Sequence, residues 1–273
     1  MNQAPRPKKS LGQNFLQDQG IARKIVRCLE LGQDDSVIEI GPGPGALTRH
    51  IAAENPARLI LMEKDDHWAE ERAAALGAKV STEAAVSAET SWAVLRGDAL
   101  RFPWQEVPFP CKCIGNLPYN VASPLMWELF SRVPDLVRAV FMVQKEVGLR
   151  LCARPGTSAY GALSVWVQSF VTPKMEFIVP PQVFFPRPKV DSAVLSFVPL
   201  AEGRPNVSLR ALAQALHKTF SMRRKQLGTI FQNVPNRMEL LANLGIDPRL
   251  RPENLTPKTF HLLAGEGFFA QRD

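Results

Sequence analysis

The chain is short of cysteine, of tyrosine and of long apolar runs, and the first and last of these shortages each close off a class of protein. Four cysteines (Cys28, Cys111, Cys113 and Cys152) among 273 residues are too few to staple a fold with disulfides. Cys111 and Cys113 are two apart in a strand-like run, so their side chains leave on opposite faces and are badly placed to share a metal. Reduced, buried thiols are expected. His50, His67, His217 and His261 lack metal-ligand spacing, and no metal is expected. No stretch reaches about 18 consecutive apolar residues, so no membrane span is expected. The N-terminal Met1-Asn-Gln-Ala-Pro-Arg-Pro-Lys-Lys9 carries charge with no apolar core behind it, unlike a secretory leader. A cytoplasmic, monomeric protein is expected. Internal repeats are also lacking, and an apolar content of 45% excludes disorder for most of the chain.

Positive charge is what the chain does have. Lys and Arg number 33 against 26 Asp and Glu, a net +7 and a pI near 9.4. An excess of this size points to a polyanionic partner, nucleic acid before anionic membrane. The excess is uneven. Residues 1–27 hold 6 basic residues and 1 acid, residues 28–200 hold 16 and 19, and residues 201–273 hold 11 and 6.

Strand-like and helical runs alternate through the first two thirds. Ser36–Ile40, Arg58–Met62, Trp92–Arg96, Cys111–Ile114 and Val137–Val143 read as strands. Ala46–Ala53, Asp66–Leu76, Val121–Ser131 and Glu146–Ala153 read as helices. The periodicity of 14–31 predicts a further helix, with Asp18 as a cap. Such alternation implies a Rossmann-like α/β domain with a mostly parallel sheet. Phe170–Val179 and Ser192–Val198 add a closing strand pair. Gly77–Ser91 reads as a loop insertion, with Lys79-Val80 a remnant strand. After Ala201–Asn206 only helical patterns remain. The expected organisation is a flexible basic arm (1–13), an α/β domain (14–203) and a small all-helical domain (204–273).

Gly41-Pro-Gly43-Pro-Gly45 follows a strand and opens a helix. Glycine lets the backbone turn sharply and approach a ligand, and the helix start presents free N–H groups. Dinucleotide sites favour G-x-G-x-x-G. The G-x-G-x-G spacing here suits S-adenosylmethionine better, since that ligand has no pyrophosphate. Gly41 and Gly43 are therefore expected at the cofactor. Glu63 ends the next strand, where its carboxylate can accept ribose hydroxyls. Asp98 ends the one after, where it can accept from the adenine amine. All lie at strand C-termini, where open α/β sheets bind ligands.

Asn116-Leu117-Pro118-Tyr119 ends the fourth strand. An exocyclic adenine amine is a poor nucleophile because its lone pair is delocalised. Two acceptors can grip its hydrogens, the Asn116 side-chain oxygen and the Leu117 carbonyl, with Pro118 shaping the turn. Tyr119 offers a face for the base. This is catalysis by positioning.

The chain resembles the ribosomal RNA adenine N6-dimethyltransferases over nearly its whole length. The resemblance rests on Lys9–Leu16, Glu39–Thr48, Gly97–Ala99, Gly115–Asn120, Gln144–Val147, Tyr160–Val165, Phe184–Ser192 and Phe220–Leu227, all in the family's order. Leu117 and the Arg223-Arg224-Lys225 run are similar to the bacterial small-subunit branch. The large-subunit resistance enzymes usually carry Ile in place of Leu117. The resemblance implies methylation, from S-adenosylmethionine, of two adjacent adenosines near the 3′ end of 16S rRNA in the immature 30S subunit, each twice, with a role in its biogenesis. It also implies cofactor contacts from Asn14, Leu16, Gly41, Glu63, Asp98 and Asn116, and a second stacking aromatic at Phe184. Lys8 and Lys9 are expected to close over cofactor and phosphates. Lys218, Arg223, Arg224 and Lys225 form a basic cluster suited to RNA phosphates. The rivals are an enzyme acting on large-subunit rRNA or DNA, and an assembly factor that chiefly binds the 30S particle. The separation of 35 positions between Glu63 and Asp98 is longer than the family's usual, and the Gly77–Ser91 insertion accounts for it.

Overall fold

The computed structural model describes residues 12–82 and 86–265. They fall into two compact units, one of residues up to Gly148 plus Pro173–Pro199, the other of Leu149–Thr172 plus Leu200 onward. The linear division expected at 203/204 is thus corrected. Residues 149–172 leave the first unit and group with the C-terminal helices, and the chain then returns to complete the first.

Strands alternate with helices in the first unit because short apolar runs alternate with helix-forming ones, α1 and α3 being capped by Asp18 and Asp65. After β1 (Phe15–Leu16) come α1 (Gln19–Arg27), β2 (Ser36–Ile40), α2 (Thr48–Ala53), β3 (Arg58–Glu63), α3 (Asp66–Leu76), β4 (Val80–Ser81) and β5 (Trp92–Arg96). Then follow β6 (Cys111–Asn116), α4 (Tyr119–Arg132), β7 (Leu136–Gln144), α5 (Lys145–Leu151), β8 (Val171–Val179), β9 (Phe184–Phe185) and β10 (Ser192–Pro199). Eight strands form one sheet in the order β4-β5-β3-β2-β6-β7-β10-β8. From β4 to β7 all pairs are parallel, and β10 runs antiparallel to β7. This is the expected Rossmann-like α/β architecture, a mostly parallel sheet with an antiparallel strand at one side. Lys79-Val80, expected as a remnant, contributes at Val80 to a true edge strand. Chain order reverses direction at β2, which has β3 on one side and β6 on the other. That crevice is where such sheets take ligands.

Helix α1 starts later than the periodicity of 14–31 predicts. Asp18 does cap it, accepting from the Ile21 amide at 2.9 Å, but Phe15 and Leu16 are extended and pair with Phe185 and Phe184 in a separate two-stranded sheet. Ile25, Val26 and Leu29 then pack into a core with Val37, Leu59, Leu61 and Ile114. Burial of each such side chain contributes about 1.5–3 kcal/mol.

The second unit adds α6 (Ala162–Gln168), α7 (Leu209–Ser221), α8 (Leu227–Ile230), α9 (Arg237–Asn243) and α10 (Pro257–Gly265). Phe220 and Phe260 stack at 5.6 Å. The fully buried Tyr160 donates its hydroxyl to the Leu255 carbonyl at 3.0 Å, which ties the 149–172 excursion to the C-terminal helices.

Candidate active site

The C-terminal ends of β2, β3 and β6, the turn after β5 and the segment around β1 enclose a cavity of about 270 Å³. Asn14, Leu16, Gly41, Gly43, Glu63, Asp98, Asn116, Leu117, Pro118 and Tyr119 all line it. So do Glu39, Met62, Lys64 and Leu100. Most of these residues converge because they end neighbouring strands of the large sheet, while Asn14 and Leu16 come from the segment around β1, which pairs with β9 in a separate sheet.

The glycine loop is held from two sides. The Gly43 amide donates to Glu63 Oε2 at 2.9 Å, and the Asp65 amide donates to Oε1 at 2.8 Å. Gly43 has φ +50, and a Cβ there would press on the Phe15 ring at 3.2 Å. Gly45 has φ +83, and a Cβ would lie 2.2 Å from Nη1 of Arg72. These two positions require glycine on conformation and on space together. Burial raises the Glu63 carboxyl above its ordinary value, against the pull of the Asp65 and Gly43 amides.

Asp98 sits at the end of β5. Its Oδ2 accepts from Lys64 Nζ at 2.8 Å and its Oδ1 from the Leu100 amide at 3.0 Å. Partial burial pushes its carboxyl up, but the Lys64 ammonium and the Leu100 amide outweigh that and hold it below the ordinary value. A ligand amine here would share the carboxylate with Lys64. Trp104, buried, donates to the Ala99 carbonyl at 2.9 Å and pins this turn.

Asn116 has its orientation set by the N-terminal segment. Its Nδ2 donates to the Asn14 carbonyl at 2.9 Å, which leaves Oδ1 with no donor among the described residues. Leu117 donates its own amide to Met142 at 3.1 Å, and its carbonyl likewise receives no hydrogen bond. Two adjacent oxygens are therefore free to accept. Tyr119 is half-buried, and its hydroxyl lies 3.1 Å from Ser192 Oγ. Burial pushes the Tyr119 phenol up, partly offset by Ser192.

Two sequence expectations are corrected. Phe184, expected to stack on the base, is absent from the cavity wall and is only 5% exposed, packed in the core with Leu16. Successive strand residues point to opposite faces, and the β1–β9 register turns Phe184 inward and leaves Phe185 62% exposed. Arg223, expected to face RNA phosphates, is spent internally. Its Nε donates to Glu253 Oε2 at 2.7 Å and its Nη2 to the Ser158 carbonyl at 2.7 Å. Lys218, Arg224 and Lys225 are exposed on the second unit. Lys8 and Lys9 lie outside the described residues.

Glu39 and Ser192 are contributors that the sequence reading did not single out. Glu39 is 1% exposed, and its Oε2 has no hydrogen-bond partner. Burial pushes its carboxyl up to about 8, with Thr48 and Arg72 opposing. The available signal was an acid inside the β-branched run Ser36-Val-Ile-Glu-Ile40. A buried acid with one oxygen unpartnered, with Glu63 and Asp98 on the same wall, suits a cationic ligand. The donor set thus fits S-adenosylmethionine, whose sulfonium and ammonium are both positive.

A family model described as ribosomal RNA adenine dimethylase matches residues 5–266. The chain is 56% identical over 260 residues, 94% of each chain, to "Ribosomal RNA small subunit methyltransferase A" of Nitratidesulfovibrio vulgaris (strain DP4). A solved dimethyladenosine transferase from Plasmodium falciparum superposes with TM-score 0.74 at 26% identity, covering 91% of this chain and 95% of that one. The fold is shared with the 23S rRNA methyltransferase ErmE, at TM-score 0.65 and 22% identity, covering 93% of this chain and 99% of that one. With its sheet, its glycine loop and these matches, the chain belongs to the ribosomal RNA adenine dimethylase family and is an S-adenosylmethionine-dependent methyltransferase.

Proposed function

We propose that the protein dimethylates N6 of two adjacent adenosines near the 3′ end of 16S rRNA, on the immature 30S subunit. The observation that carries this reading is the pair of free acceptors at Asn116 Oδ1 and the Leu117 carbonyl, with the amide turned by Asn14. The small-subunit substrate is supported by 56% identity to a ribosomal RNA small subunit methyltransferase A and by Leu117 in the Asn-Leu-Pro-Tyr run.

S-adenosylmethionine, when bound, supplies an electrophilic methyl group. Glu63 and the glycine loop would hold the adenosine part, Asp98 would accept from the base, and Glu39 would offset the positive charge. Asn116 Oδ1 and the Leu117 carbonyl accept the two N6 hydrogens, which holds the amine nitrogen with its lone pair directed at the methyl carbon. Tyr119 stacks on the base, which must leave its helix to reach the cavity. One of the amine's hydrogens leaves as a proton after transfer, and no strongly basic group is needed. The second transfer proceeds with one acceptor contact fewer, so the pocket holds the monomethylated amine by stacking and the remaining contact. The basic residues Lys218, Arg224 and Lys225 of the second unit grip RNA phosphates, and Lys8 and Lys9 of the N-terminal arm add basic contacts of the same kind.

The test is methyl transfer from labelled cofactor to immature 30S particles, naked 16S rRNA, 23S rRNA and DNA, with mass spectrometry of the digested product. Dimethyladenosine at two neighbouring 16S positions is expected. Preference for DNA or 23S rRNA overturns the reading. Asn116→Ala should abolish transfer while leaving particle binding intact.

A further inference from the structure

The first unit neutralises many of its cations with carboxylates, pairing Lys64 with Asp98, Arg96 with Asp66, Lys112 with Asp35, Arg138 with Glu30, Lys145 with Asp191 and Lys174 with Glu176. One group of arginines is treated differently. Helix α1 contains no acid. Gln19, Arg23 and Arg27 recur every fourth residue and so share one stripe, about 12 Å long at 1.5 Å per residue. Arg23 and Arg27 are exposed, and their side chains make no ion pair or hydrogen bond among the described residues. Lys24, beside them, is instead spent over the Phe177 ring at 4.0 Å.

Helix α2 extends the stripe. Gln19 Oε1 lies 3.2 Å from His50 Nε2, which brings the two helices together at this point. Arg49 is exposed and has no carboxylate partner. Its Nε donates to the Gly45 carbonyl at 3.2 Å, and the rest of the guanidinium is free. Burial, then the charges of Arg23 and Arg49, lower the His50 imidazole, and no carboxylate is among the charges acting on it. Like charges gathered without a counter-charge repel one another, and an external anion removes that cost. Both helices carrying the stripe follow closely in the chain on cavity-wall residues, α1 on Asn14–Leu16 and α2 on Ala46 and Leu47.

We propose that Arg23, Arg27 and Arg49 form a phosphate-binding stripe that holds the backbone of the RNA substrate along α1, beside the cavity. The site rests on the reading of the protein as an RNA methyltransferase. Its ligand is a run of phosphodiesters: the stripe is too long for a single phosphate, and it presents arginines, which fork onto phosphate oxygens. Its three arginines are donors only, with no acceptor, so they grip backbone rather than read bases.

The test is binding of immature 30S particles by the full chain across a salt series. Arg23→Gln with Arg27→Gln removes two exposed charges and keeps good helix formers. Each lost phosphate contact should flatten the plot of log affinity against log salt by about 0.7, and the pair by about 1.4. Affinity at moderate salt should fall roughly tenfold, with a matching rise in KM for the particle. Arg49→Gln should add to the loss, and Arg49→Lys should restore most of it. Calorimetric affinity for S-adenosylmethionine should stay unchanged in the double variant, which shows that it is folded. Lys79→Gln, an exposed cation outside the stripe, should leave slope and activity as they are. If the parent binds and methylates the particles but the double variant keeps its slope and KM, the stripe is refuted and the enzyme reading stands. If the parent does neither, the enzyme reading falls and takes the stripe with it.

Discussion

Replacing Glu39 by glutamine tests the floor of the cavity through a single proton. The side chain is 1% exposed, one carboxylate oxygen has no partner, and burial holds its carboxyl at about 8 against an ordinary 4.5. Between those two values the ligand-free folded protein keeps a proton that the unfolded chain has released. The folded state therefore loses stability as pH rises through the window, and the full penalty is reached above about 8. At about 1.4 kcal/mol per pKa unit the span caps this penalty at about 5 kcal/mol. From near pH 6 to near pH 8 it grows by about 2 kcal/mol. Glutamine keeps the shape and takes no proton. Urea unfolding of ligand-free protein should then show Glu39→Gln gaining on the parent by about 2 kcal/mol across that range. A difference that stays flat with pH would falsify the buried, protonated acid. Cofactor binding should mirror the effect. A cationic ligand draws the proton off, so the parent should release a proton on binding and bind more tightly as pH rises. The variant should bind more weakly, with neither response in calorimetry.

Two further outcomes follow from geometry elsewhere. Ser192→Ala frees the Tyr119 hydroxyl from its 3.1 Å partner, and Tyr119→Phe breaks the same contact; each should lower kcat/KM severalfold, about 1 kcal/mol. The double variant should be no worse than either single one, whereas additive losses would show that the two residues act separately. Arg223→Ala strips Glu253 and the Ser158 carbonyl of their donor and should cost about 1–3 kcal/mol in thermal unfolding. Arg224→Ala should leave Tm unchanged and weaken RNA binding. Equal Tm losses would mean that Arg223 is not the brace.

Much of the site was legible because its chemistry sits at strand ends, where sequence punctuation is strongest. The three glycines after Ser36–Ile40, the acids Glu63 and Asp98 and the Asn116–Tyr119 run each break an apolar pattern at the point where a strand stops. All of them but Gly45 line the cavity wall. What sequence alone leaves open depends on partners distant along the chain. Phe184 and Phe185 are both aromatic and adjacent, and only the pairing with Leu16 and Phe15 decides which one is buried. Arg223 reads as one of three equal cations until Glu253 is brought beside it. Residues 149–172 continue the α/β pattern locally, and their grouping with the C-terminal helices comes from long-range contacts such as Tyr160 with Leu255. Residues 14–16 have helical periodicity, but Asp18 caps the helix after them, and the pairing with Phe184 and Phe185 holds them extended.

The two-residue strand β1 has a consequence for the order in which the enzyme is made. It pairs only with β9, and the Asn14 carbonyl beside it orients an amide 102 residues further on. Synthesis runs from the N-terminus, so the segment that sets the Asn116 side chain leaves the ribosome early and gains its strand partner only when residues 184–185 follow. The earliest part of the chain to be made is thus among the last to be placed, and methyl-transfer competence arrives only when the first unit is complete.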